Sequence, residues 1–94
     1  MAWVSIQITL PASGNIQLST SPIQCRQVVV QNNSGNNCYL GDSTVSSSKG
    51  LVLLASSVAG SLWSTGPSVA YASYLSDFFL AGTSGGKIDV FYNT

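Results

Sequence analysis

The chain has 94 residues, enough for one domain around one thin core, and 1–94 is read as a single domain. Its ionised side chains are Arg26, Lys49, Lys87, Asp42, Asp77 and Asp89, which cancel to zero net charge, and there is no histidine. Three scattered cations exclude binding to nucleic-acid phosphates or an acidic lipid surface, and the missing imidazole excludes Ser–His and Cys–His catalysis.

The first predicted element is Trp3–Leu10, WVSIQITL. Val4, Ile6, Ile8 and Leu10 alternate with Trp3, Ser5, Gln7 and Thr9, the period of a half-buried strand. Pro11 ends it, and Ser13-Gly14-Asn15 turns the chain. Asn15–Ser19 alternates again through Ile16 and Leu18, until Ser21-Pro22 interrupts. Cys25–Gln31, CRQVVVQ, is the densest β signal, because three consecutive valines are stiff at χ1 and disfavour a helix. Alternation allows two phases here, Val28 and Val30 inward or Val29 with Cys25, and we take the first. Asn32–Asn37, NNSGNN, reads as a hairpin loop, since Gly and Asn tolerate the positive φ of tight turns, with Cys38–Gly41 as the returning strand.

Asp42–Gly50 is a hydroxyl-rich loop. Leu51–Leu54 is a short apolar run of the length of a core strand. Ser57–Trp63 reads as a strand kinked at Gly60, and Ser64–Ser68 as a loop. Val69–Leu75 is ambiguous, and a short helix fits within Val69–Phe79. Asp77–Gly82 predicts a strand and Gly82–Gly86 a turn; Lys87–Tyr92 closes the chain with Ile88, Val90 and Tyr92 on one face, so the last two strands read as a hairpin. About eight short strands, spaced by roughly ten residues and with no helical pattern beyond one turn, predict an all-β antiparallel β-sandwich or small barrel, a jelly roll being among the layouts that fit. The most apolar window, Gly50–Trp63, is too short to span a bilayer. The first cation is Arg26, so no secretory signal is expected and the chain is expected in a cytosol.

Candidate chemistry is sparse. Cys25 and Cys38 match no zinc spacing and are expected as small buried thiols, a disulfide across neighbouring strands being the second reading. Asp42 and Asp77 sit beside turns, where Asp caps backbone amides. Gly82, Gly85 and Gly86 lack the helix and lysine of a phosphate loop and read as a turn. No catalytic, metal or cofactor-binding residue is assigned, and the chain is read as not an enzyme. The aromatics carry the strongest lead. Trp3, on the polar face of the first strand, Trp63, before a loop, and Tyr71 and Tyr74 are the candidate interface residues, since interfaces are enriched in aromatics and depleted of charge. Core filling competes with that reading, as does a sugar platform ringed by Asn and Gln.

The run QVVVQNNSGNNCYLGDSTVSSSKGLVLLA resembles a pattern of small virion proteins of tailed bacteriophages. Its parts are a strand, an Asn/Gly loop, an aromatic-x-Gly-Asp-Ser strand end, a Ser/Lys-Gly loop and an apolar strand. FFLAGTSGGKIDVFY is similar to the ending of such proteins. The likeness runs from Cys25 to Tyr92 and fixes no catalytic or binding residue. It implies a β-sandwich capsid decoration or cement protein, trimeric, with the major capsid protein as partner, made in the host bacterial cytoplasm and carried on the virion. Residues 1–20 lie outside the likeness and are where capsid contact is expected to vary. The alternative is a tail or head-fibre tip binding a host-surface glycan.

Overall fold

The computed structural model describes residues 2–56, 60–65 and 73–94. Two four-stranded antiparallel sheets pack as a sandwich. The first sheet runs in the order β1 (Trp3–Thr9), β10 (Lys87–Asn93), β4 (Gln27–Asn32), β7 (Leu62–Ser64). The second runs β2 (Ile16–Gln17), β9 (Phe79–Gly82), β5 (Cys38–Gly41), β6 (Leu51–Leu53). A short ribbon pairs β3 (Gln24–Cys25) with β8 (Ser73–Tyr74), and a 3-10 turn, Leu75–Asp77, follows it.

Strand pairing is nested. Within the two sheets, β1 pairs with β10, β2 with β9, β4 with β7 and β5 with β6, first with last and inward from there. Among these only β5–β6 is a local hairpin. The segment Asn32–Asn37 is therefore a corner between sheets and not the expected hairpin loop, because β4 and β5 belong to different sheets. The same holds for FFLAG and KIDVFY: β9 and β10 lie in opposite sheets.

The alternation of Trp3–Thr9 holds residue by residue, exposed at odd positions and half-buried at even ones. In β10, Ile88, Val90 and Tyr92 are buried as predicted. In CRQVVVQ both phases turn out to be used. Val28 and Val30 are buried, and so is Cys25, because Arg26 breaks the strand and resets the alternation. Leu18, Leu40, Leu53, Leu75 and Leu80 complete the centre of the core. Gly82 stands where a Cβ would meet Leu10 Cδ1 at 2.9 Å and Cys38 Cβ at 3.2 Å, so the close approach of these strands requires glycine.

Leu51–Leu53 is a strand, but an edge strand. Leu53 is 2% exposed, whereas Leu51 and Val52 are 56% and 49% exposed. Leu51 shares the inward face of Leu53, but the sandwich is open at that end. Gly60 has φ +98° in a turn before β7, and residues 57–59 of the predicted Ser57–Trp63 strand lie outside the described residues, as does 66–72.

Candidate interface surfaces

The outer face of the first sheet is a lattice of neutral groups. Cross-strand rows bring Gln7 opposite Asp89 and Asp89 opposite Gln31, Thr9 opposite Lys87, and Ser5 opposite Phe91, which faces Val29. Gln7 Nε2 donates to Asp89 Oδ1 at 3.0 Å, and Asn33 Nδ2 donates to Asp89 Oδ2. Lys87 Nζ donates to Thr9 Oγ1 at 2.9 Å, and Gln27 Nε2 to Ser64 Oγ at 3.2 Å. Both charges on this face are thus bound by amides or hydroxyls.

Trp3 lies at the corner of this lattice, stacked on Phe91 with ring centroids 4.6 Å apart and planes 12° apart. Each ring is 45% exposed. Phe91 was not singled out from sequence, although its place opposite Val90 and Tyr92 in the alternation put it on the outer face. Trp63 behaves differently. It points inward from β7, packs against the core, and meets Phe78 at 5.6 Å with a 59° tilt. Together they wall a groove of about 410 Å³ at the open end of the sandwich, floored by Leu40, Val45 and Leu51 and rimmed by Asp42, Lys49 and Asp77. Tyr74 is 42% exposed on the β3–β8 ribbon, its hydroxyl accepting from Gln24 Nε2 at 3.2 Å. Tyr71 lies outside the described residues. Trp3 and Trp63 occupy opposite edges and opposite faces of one sheet, so the structure does not gather the candidate aromatics into one patch.

The amide-rich corner has an internal role that sequence reasoning missed. Asn32 is fully buried. Its Nδ2 lies 2.8 Å from Asn36 O, 3.1 Å from Leu53 O and 3.0 Å from Leu54 O, and donates to these carbonyls. Its Oδ1 accepts from the amide of Ser34 at 2.9 Å and its hydroxyl at 2.8 Å. No residue of the corner needs a positive φ, since every positive φ among the described residues belongs to Gly14, Gly50, Gly60 or Gly85. Asn36 and Asn37 rim a second groove of about 510 Å³, in which Tyr39 is ringed by these two, Ser47 and Thr83.

Asp42 caps its loop as expected. Its Oδ1 accepts from the Thr44 hydroxyl at 2.6 Å and the Thr44 amide at 2.9 Å, and these bonds, with help from Lys49, hold the carboxyl below the usual range. Lys49 Nζ in turn donates to Thr44 Oγ1 at 2.6 Å. Cys25 and Cys38 are buried and unbridged. Burial pushes the Cys38 thiol up to about 11 and raises that of Cys25, a direction that favours the neutral thiol over the thiolate. Among the described residues no cluster of His, Cys, Asp or Glu has the makings of a metal site, and no helix is long and apolar enough to cross a membrane. No family model, curated protein or solved structure matches the chain.

Proposed function

We propose that this chain is a structural virion protein of a tailed bacteriophage, a capsid decoration or cement protein that binds the outside of the head and stabilises contacts between major capsid subunits. Its partners on this reading are the major capsid protein and copies of itself. The observation that carries the proposal is the chemistry of the exposed surface. Lys87 and Asp89 are bound by amides and hydroxyls, while Trp3, Phe91, Leu51, Val52 and Leu62 offer apolar area. Contacts built this way are screened little by salt, which suits a shell that must hold across changing ionic conditions. The resemblance over Cys25–Tyr92 supports the same reading. So does the nested strand order, that of a jelly roll, an architecture viral capsid proteins share with lectins and cupins. Because those functions differ, fold alone does not select among them.

The test is quantitative mass spectrometry of purified virions. Copies in proportion to the capsid subunit are expected, together with heat-labile particles when the gene is deleted and rescue when the purified protein is added back. Virions devoid of the chain overturn the proposal. A second reading, a tail or head-fibre tip that binds a glycan, draws on the Tyr39 groove with its ring of Asn and hydroxyl groups. It predicts only a handful of copies per particle.

A further inference from the structure

The strand β1 has one partner, β10, and among the described residues nothing pairs with its other edge. The hydrogen-bond phase shows which groups that leaves. Leu10 N donates to Gly86 O at 2.9 Å, and Thr94 N donates to Ala2 O at 2.9 Å. Even-numbered residues therefore bond to β10, and by the alternation of antiparallel ladders Trp3, Ser5, Gln7 and Thr9 turn their N–H and C=O outward. Among the described residues this is the longest free edge, since β2, β6 and β7, at the other sheet edges, have two or three residues each. It carries none of the usual protections: no charge, no proline and no glycine over seven residues. Its inner side chains Val4, Ile6 and Ile8 are only half-buried, because β2 at the same side of the facing sheet is two residues long.

We infer that β1 pairs with β1 of a second copy, antiparallel and two-fold symmetric about Ile6, joining the two first sheets into one eight-stranded sheet. The outward-facing groups require odd residues to bond to odd residues, and overlap of all seven residues of β1 then selects one register: Trp3 faces the second copy's Thr9, and Ser5 faces its Gln7, each such pair exchanging two backbone bonds. Val4 then lies against Ile8, and Ile6 against its own copy, on the apolar side. Hydroxyl, amide and indole share the outer side. The charge pattern favours a second copy as occupant: β1 has no ionised group, so self-pairing brings no like charges together. A seven-residue edge is roughly 24 Å long, which places the interface at the small end, below about 1,200 Å² in total. The dimer is accordingly expected at micromolar protein. A two-fold contact of this kind closes on itself and is not the three-fold arrangement the resemblance implies. The inference does not depend on the virion reading.

Sedimentation of the purified chain from about 10 µM to about 1 mM brackets a micromolar Kd and should show monomer passing to dimer. Residue-resolved amide exchange on the same samples should show the amides of Trp3, Ser5, Gln7 and Thr9 gaining protection with concentration, while those of Val4, Ile6 and Ile8 are protected throughout. Ser5→Pro removes an outward N–H without touching the β10 ladder and should weaken dimerisation by about tenfold or more. Ser5→Lys/Gln7→Lys and Ser5→Glu/Gln7→Glu should each be monomeric alone and form a mixed dimer together. Ile6→Cys, treated with oxidised glutathione, should link to itself. A chain that stays monomeric, forms a trimer, or dimerises without protecting the odd amides overturns the inference. So does protection of those amides only when capsid protein is added, since another chain's strand is then the occupant.

Discussion

The Asn32 carboxamide ties the end of β4 to the corner at Ser34–Asn36 and to the backbone leaving β6. Asn32→Ala would strand the buried carbonyl of Leu53 and the buried amide of Ser34, each an unsatisfied group costing about 1–3 kcal/mol. The expected loss, after relaxation, is about 3 kcal/mol, read as a lower urea midpoint with an unchanged slope. Cys38 gives the corresponding prediction in pH. Its thiol titrates near 9.0 when unfolded and near 11 when folded, so the folded state binds the proton more tightly. The associated stability is fully present below pH 9 and is lost as pH climbs toward 11, at about 1.4 kcal/mol per pH unit. Subtracting the profile of Cys38→Ala from that of the parent chain isolates this contribution from tyrosine and lysine titration. A flat difference between pH 8 and 11 would refute it.

Among elements, β6 tests the distinction between an inward direction and actual burial. Leu51 and Leu53 point the same way on one strand, yet only Leu53 is covered. Leu53→Ala is expected to cost about 2–5 kcal/mol through the cavity it leaves, and Leu51→Ala less than about 1 kcal/mol, both measured by chemical denaturation. The same strand shows where sequence reading stops. Period-two alternation in β1 and β10 was legible because each residue's facing depends on its own neighbours. The pairing partners were not, because a nested order sets them through contacts between the two ends of the chain. That is why Asn32–Asn37 and Gly82–Gly86 were read as hairpins when each carries the chain between sheets, and of the two only the second uses a positive φ, at Gly85. The break at Arg26 was illegible for a related reason: alternation states its own phase but not where the phase resets. Of the candidate site, Trp3 was legible as an outward aromatic, whereas the inward role of Trp63 and its groove depended on which strands end the sandwich.

At the scale of the whole molecule, zero net charge and the neutral partners of four charged groups favour a stability that varies little with ionic strength. The carboxylates of Asp42 and Asp89 and the ammonium groups of Lys49 and Lys87 all bond to hydroxyls or amides. Raising NaCl from about 0.05 to about 1 M is expected to move Tm by less than about 3 °C, since the bonds of these four charged groups run to neutral partners. A shift several times larger would show that charge pairs hold the fold. The same neutrality removes the repulsion that keeps many small proteins apart, so solubility at neutral pH should rise when charges of one sign are added to the outer faces.

The pairing of β1 with β10 sets Trp3 beside Asn93, across nearly the full length of the chain. During synthesis β1 is therefore made long before β10 and waits for it. Loop closure over such a separation is slow, and folding on the millisecond-to-second scale is the rule for such topologies. Throughout that wait a bare strand of alternating isoleucines has every nascent copy nearby as a substitute. A chaperone that shields β1 as it emerges would then govern the yield of native protein more than any refinement of its core.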